Sequence, residues 1–244
     1  MRLTLAKLLL GPLLLWQGRR VRATALRLPE AAGDRALDGG ALRLLIVGDS
    51  SAAGVGATHQ REALAGRLAE ALATRLGQPV GWQLVATSGH GSEQALASLQ
   101  AAQLARADVL VTALGVNDVV GQVAPAVALA ALDGIHALAA ERAGVRLSVH
   151  CAAPPMQSFP LLPQPLRWFF GQQAARFNAA LSAQVAGQPS RQVLHLPAAM
   201  QRDAAALMAV DGFHPGPRGY ALWAEALADQ VVIGLDLPSR SMAT

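Results

Sequence analysis

Ser50, in Gly48-Asp49-Ser50, and the pair Asp211 and His214, in Asp211-Gly212-Phe213-His214, lie at opposite ends of the chain. Hydroxyl, imidazole and carboxylate are together the groups that turn a weakly nucleophilic alcohol into an acylating catalyst. Only two residues separate Asp211 from His214, so one tight turn can set the carboxylate against one ring nitrogen and leave the other facing the serine. Pro215, Gly216 and Pro217 stiffen the chain that follows. An attack of this kind also needs donors for a developing oxyanion, and the Asn117 amide with the backbone N–H groups of Gly89 and Ser50 would supply three. Taken singly each residue has a plainer reading: Ser50 as a turn residue, Asp211 as a turn or cap, His214 as a loop histidine, Asn117 as a cap and Gly89 as a turn glycine. His59, His90, His136, His150 and His195 have no carboxylate at comparable spacing, although His90 adjoins Gly89 and so borders any site there. Asp49 and Asp118 read as residues that hydrogen-bond loops.

Strand-length apolar runs alternate with helix-like segments from residue 42 onward. Leu42–Val47, Val80–Ala86, Asp108–Leu114, Val145–His150 and Gln192–Leu196 read as strands. Leu64, Leu68, Leu72 and Leu76 mark one face of a helix that Thr58 would cap and Gly77 would end. Glu93–Arg106, Pro125–Arg142, Leu166–Val185 and Pro217–Ile233 are the other helices. Strict alternation predicts an α/β fold, a five-stranded parallel sheet covered on both faces. Ligands of such sheets bind beyond the carboxyl ends of the strands, where Ser50, Gly89 and Asn117 all fall.

With these blocks in this order, the chain resembles the SGNH/GDSL hydrolase family. Its hallmark residues would be Ser50 in Gly48-Asp49-Ser50, Gly89 in Thr87-Ser88-Gly89, Asn117 in Gly115-Val116-Asn117-Asp118, and His214. The likeness spans about residues 44–230. It implies a flavodoxin-like three-layer α/β/α sandwich and hydrolysis of esters or thioesters by a Ser50-His214-Asp211 triad, with Ser50, Gly89 and Asn117 as the oxyanion hole. Two departures stand out: Ser51 replaces the leucine common after the nucleophile, and an asparagine often found shortly before the block-two glycine is absent. The rival reading makes Gly48–Gly56 a phosphate- or flavin-cradling loop on the same sheet type. That loop lacks the Gly-Lys-Ser/Thr ending of a nucleotide-binding loop and leaves Asp211 and His214 without a task.

The net charge of +4 is unevenly placed. Arg2, Lys7, Arg19, Arg20, Arg22 and Arg27 precede the first acid, Glu30, so the body of the protein is nearly neutral and lacks the electrostatic footprint of a nucleic-acid binder. Cys151, the single cysteine, excludes an intrachain disulfide and reads as a buried, inert thiol. No Cys/His cluster has metal-ligand spacing, and neither a metal nor a cofactor is expected.

Two domains of behaviour follow, an apolar and basic segment over residues 1–30 and a hydrolase domain over 40–235. The uncharged run Leu8–Gly18 is shorter than the ~20 residues a spanning helix needs. Its basic flank favours an interfacial anchor on a membrane surface through residues 1–28, over a secretory signal with a periplasmic or secreted product, or a helix packed on the protein. The proline-rich, aromatic stretch 154–170 reads as loop plus buried helix start, or as an apolar wall or lid for an acyl chain. Both features favour acyl or lipid-like esters as the small-molecule substrate over acetylated carbohydrates or acyl-thioesters.

Overall fold

The computed structural model describes residues 2–196 and 203–237, and side chains from Lys7 onward except Ala204. After α1 (Arg2–Thr24) come β1 (Ala36–Gly40), β2 (Leu42–Gly48), α2 (Leu64–Leu76), β3 (Val80–Ala86), α3 (Ser92–Ala101), β4 (Val109–Ala113) and the short α4 (Val116–Val120). The second half comprises α5 (Pro125–Ala143), β5 (Leu147–Cys151), α6 (Leu166–Val185), β6 (Arg191–Leu194), the single turn α7 (Ala204–Leu207) and α8 (Pro217–Gly234).

The sheet order is β1-β3-β2-β4-β5-β6, with β1 antiparallel to β3 and every other pair parallel. The five parallel strands have the flavodoxin-like order, and the chain reverses its direction of winding between β2 and β4. A sixth strand corrects the five-stranded expectation. All of Ala36–Gly40 is exposed and two of its five residues are glycine, so β1 carries neither the alternation nor the β-branched composition that marks a strand.

Alternation within the parallel strands divides the core into two. Leu44 and Ile46 of β2, with Val111 and Val149, point into a layer closed by α2 and α8, including Leu68, Leu72 and Leu227. Leu45, Val47 and Leu110 point the opposite way, against Leu132 and Ile135 of α5 and Phe177 of α6. Both faces of the central strands are therefore buried, which is why their sequences are continuously apolar. Two polar side chains of β5 also enter the second layer, and both are bonded. His136 Nδ1 lies 2.8 Å from Ser148 Oγ, and His150 Nδ1 lies 2.9 Å from Thr112 Oγ1. Arg191 donates to His150 Nε2 at 3.2 Å and pairs with Asp133 at 2.6 Å. Burial and the adjacent guanidinium hold His150 down at about 3, so its ring is neutral.

Two local expectations need correction. The N-cap of α2 is Ala63, because a 3-10 turn over Gln60–Glu62 separates Thr58 from the helix, and Thr58 Oγ1 donates to Glu62 at 2.6 Å. Helix α3 stops at Ala101, short of Arg106: the backbone turns extended at Ala102, and Arg142 of α5 donates to the carbonyls of Gln100 and Ala102 left at that end.

Tyr220 of α8 is fully buried and donates to the Val55 carbonyl at 2.7 Å, tying the last helix to the loop after β2. Tyr220→Phe orphans that buried carbonyl and should cost about 1–3 kcal/mol. Urea titration should show a lower midpoint with an unchanged slope.

Candidate active site

The loops carrying Ser50, Gly89 and Asn117 each begin where a parallel strand ends. Residue 49 leaves β2 with Asp49 N donating to the Ala113 carbonyl at 3.1 Å, and Ser50 sits at the first turn beyond the sheet. The loop then closes on itself through Val55 N to Ser50 O at 3.0 Å. At Gly56, φ is +98° and a β-carbon would lie 2.3 Å from the Pro215 carbonyl, so only glycine lets this loop approach the segment carrying His214. That approach brings distant parts of the chain together. His214 Nε2 lies 2.8 Å from Ser50 Oγ, and His214 Nδ1 lies 2.6 Å from Asp211 Oδ2.

The histidine is held from several sides. Asp211 Oδ1 accepts from the backbone N–H groups of Phe213 and His214, both at 3.0 Å. The Phe213 ring meets the imidazole edge-on at 5.1 Å, and Phe159 in turn meets Phe213 edge-on at 5.1 Å. Burial alone would raise the Asp211 carboxyl. The hydrogen bonds from His214 and Phe213 outweigh burial and hold it below its ordinary value. An ionised Asp211 places the proton on Nδ1 and leaves Nε2 to accept from the serine hydroxyl.

Gly89 and Asn117 lie beside this chain of contacts. Thr87–His90 forms a reverse turn closed by His90 N to Thr87 O at 3.2 Å, with Gly89 at φ +85° and nothing within 4 Å of where a β-carbon would stand. Asn117 Nδ2 donates to the His90 carbonyl at 2.9 Å and to Asp49 Oδ2 at 3.3 Å. Among the described residues, no acceptor meets the backbone N–H of Ser50 or Gly89, so both are open to an incoming oxygen. Asp118 does not face the site: it accepts from Ser92 N and Ser92 Oγ and locks the start of α3 to α4. Asp49 accepts from Ser51 N at 2.9 Å, and its burial raises the carboxyl to about 6. Burial likewise pushes the Cys151 thiol up to about 12, as befits an inert core residue.

A family model described as the GDSL-like lipase/acylhydrolase family matches residues 46–222. The chain belongs to that family. It is a carboxylic ester hydrolase, and the reading of Gly48–Gly56 as a phosphate or flavin cradle falls away. Solved structures share the fold of this GDSL-like hydrolase. The lipase Lip_vut3 from a goat rumen metagenome is 20% identical with a TM-score of 0.63, covering 77% of this chain and 96% of its own. The esterase EstA from Pseudoalteromonas sp. is 17% identical with a TM-score of 0.60, covering 80% and 98%. Est24, a carbohydrate acetylesterase from Sinorhizobium meliloti, is 16% identical with a TM-score of 0.54, covering 79% and 99%. No curated protein sequence matches the chain.

Two chambers adjoin the hydrolase's serine and histidine. An apolar pocket of about 80 Å³ lies beside Ser50, with Leu114, Val116, Phe159 and Trp223 in its walls. A groove of about 700 Å³ passes His214 and Phe213 and is bounded by α1 and the start of α6. The stretch 154–170 separates the two: Pro155 and Phe159 face the pocket, while Leu162, Phe169 and Phe170 face the groove. It is an apolar wall, anchored by Leu161 N donating to the Gly212 carbonyl at 3.3 Å.

Glu30 is the residue that sequence reasoning missed. Its Oε1 accepts from Ser88 N at 2.8 Å and its Oε2 from Arg35 at 3.0 Å, while Arg35 also donates to the Ala86 carbonyl. Burial opposes the charge on Glu30, but Ser88 and Arg35 prevail and hold its carboxyl below the ordinary range. A linker before the first strand thus supports the Gly89 turn, in a protein that lacks the asparagine often found before this glycine. No spacing pattern could reveal a contact across 58 residues. Glu30→Ala should lower kcat by about tenfold with KM within about twofold, because turn position affects the transition state more than binding. Glu30→Gln, which keeps an acceptor for Ser88, should restore most of the loss in steady-state assays.

Proposed function

We propose that this hydrolase cleaves acyl or lipid-like carboxylic esters through Ser50, His214 and Asp211. The observation that carries the reading is the unbroken run of contacts from carboxylate to imidazole to hydroxyl. Ser50 Oγ attacks the ester carbonyl carbon as its proton passes to His214 Nε2, and Asp211 stabilises the resulting imidazolium. The carbonyl oxygen becomes an oxyanion facing the N–H groups of Ser50 and Gly89 and the Asn117 amide, which gives up its long 3.3 Å bond to Asp49 Oδ2 to donate to it. Collapse breaks the bond to the leaving alcohol, which takes the proton from His214 and leaves an acyl-serine. Water then attacks that acyl group with His214 again as base, releasing the acid and restoring Ser50. The apolar pocket and wall beside Ser50 favour acyl chains over sugars. Est24 supports a second reading, acetylated carbohydrate as substrate, as far as its likeness of fold goes.

Ser50→Ala and His214→Ala should each lower kcat on p-nitrophenyl butyrate by about 10⁴–10⁶-fold, and Asn117→Ala by about 10²–10³-fold. A fluorophosphonate probe should label wild-type protein and not Ser50→Ala. Full activity in Ser50→Ala would exclude the mechanism, and faster turnover of acetylated xylan than of acyl esters would replace the substrate reading with the second.

We also infer that α1 rests on a membrane rich in acidic lipid. No helix among the described residues is long and apolar enough to cross a bilayer. Leu8, Leu9, Leu13 and Trp16 are exposed beside Arg19, Arg20 and Arg22, with Arg20 lying 5.4 Å from the Trp16 ring. Apolar residues at head-group depth with cations above them suit an interfacial helix. At about 1 kcal/mol per basic residue near an anionic surface, the three arginines alone favour acidic over neutral vesicles by about 100-fold or more. In co-sedimentation the protein should bind phosphatidylglycerol-containing vesicles and not pure phosphatidylcholine. Leu9→Glu with Trp16→Glu should abolish that binding, and retention would remove the anchor.

A further inference from the structure

Helix α1 meets the protein unevenly: its inner side holds the protein at one stripe and stands clear of it at another. Leu14 and Gln17 are buried, and Gln17 clamps the start of α6 by donating to the Gln164 carbonyl at 2.7 Å and accepting from Leu166 N at 3.1 Å. The adjacent stripe, Gly11, Leu15, Gly18 and Arg22, lines the groove that reaches His214. Gly11 and Gly18 are seven residues apart, so they share a face and span about 10 Å along the axis.

Glycine inside a helix costs about 1 kcal/mol relative to alanine. The usual structural reason for that cost is a neighbour too close to admit a β-carbon. Neither Gly11 nor Gly18 has one, since nothing lies within 4 Å of where either β-carbon would stand. What the missing side chains preserve is space, in a groove whose opposite wall is Leu166, Phe169 and Phe170 and which His214 borders. At about 700 Å³ the groove is of ligand size, and its walls are mostly apolar, with Lys7, Arg19 and Arg22 of α1 and Gln122 as the polar side chains besides Asp211 and His214.

Resting on the esterase reading, we propose that this groove holds the long apolar chain of the substrate ester, and that Gly11 and Gly18 set how long a chain it admits. The basic N-terminal helix is then part of the active site and not an appendage to it. The occupant is a flexible hydrocarbon chain, whose burial stabilises binding by roughly 0.8 kcal/mol per methylene.

The test compares wild type with Gly11→Leu, Gly18→Leu and the double variant on p-nitrophenyl esters from butyrate to dodecanoate. The kcat/KM ratio of dodecanoate to butyrate should fall by at least tenfold in the double variant and by less in each single. Gly11→Ala with Gly18→Ala provides a milder filling of the same space, and should lower the ratio by less than leucine does. Leucine and alanine are both better helix formers than glycine, so thermal midpoints should hold or rise. Independently, inactivation of the double variant by a dodecyl sulfonyl fluoride should slow relative to that by phenylmethylsulfonyl fluoride. Unchanged ratios in both experiments would overturn the groove while leaving the hydrolase reading intact. Wild-type protein that turns over no ester and takes no fluorophosphonate label would overturn the hydrolase reading and the groove with it.

Discussion

A carboxylate with only 2% of its side chain exposed must have its charge answered by donors, and Asp211 has three: the His214 ring, His214 N and Phe213 N. The same three bonds shape the turn, fix the proton on Nδ1 and aim Nε2 at Ser50. Because the folded value of Asp211 is lowered, its contribution to stability is present above the ordinary carboxylate range. That contribution is lost as pH falls through the depressed value. Asp49, one residue before the serine, has the opposite sign. Its raised value, about 6, means that the folded state keeps a proton the unfolded chain has released. Burying Asp49 therefore costs stability progressively as pH rises from the ordinary carboxylate range to about 6. The protein tolerates that cost where Asp49 secures both Ser51 N and the Asn117 amide, the two sides of the serine loop.

The convergence depends on topology. Parallel pairing of β2 with β4 puts Gly48 opposite Ala113, so the loops carrying Ser50 and Asn117 leave the sheet side by side at the point where winding reverses. Pairing of β2 with β3 puts Gly48 opposite Ala86 and delivers the Gly89 turn to the same rim. His214 comes from no strand. It is positioned by the short bridge between Met208 and Pro215 and by Gly216 N donating to the Leu207 carbonyl at 2.8 Å, immediately before α8 begins. Tyr220 then returns from α8 to the serine loop, so hydroxyl and imidazole are tied through backbone as well as through their own contact.

What the sequence made legible is what local patterns encode. Continuous apolar runs identified the parallel strands, and the motifs at their ends marked where Ser50, Gly89 and Asn117 lie. Asp211 and His214 were readable because both belong to one turn. The edge strand β1 escapes because an exposed edge need not bury a face, and Thr58 is not the cap of α2 because a 3-10 turn with no periodic signature lies between it and the helix. Glu30 escaped for a different reason. Its role rests on a backbone donor far along the chain, and a single acid in a linker resembles any solvated charge.

In the N-terminal segment, packing on the protein leaves room for the surface contact proposed above. Packing and exposure lie on different faces of one helix: Leu14 and Gln17 are buried against α6 while Leu9 and Trp16 stand in solvent. The faces are separated because positions 9, 13, 16 and 20 recur with the helical period, as do 10, 14, 17 and 21. With one face fixed to the protein, a second lining the groove past His214 and a third left apolar with arginines beside it, any force that seats α1 on a surface acts directly on the wall of the site. On the proposal that α1 rests on a membrane, surface attachment and substrate geometry are coupled through this one helix.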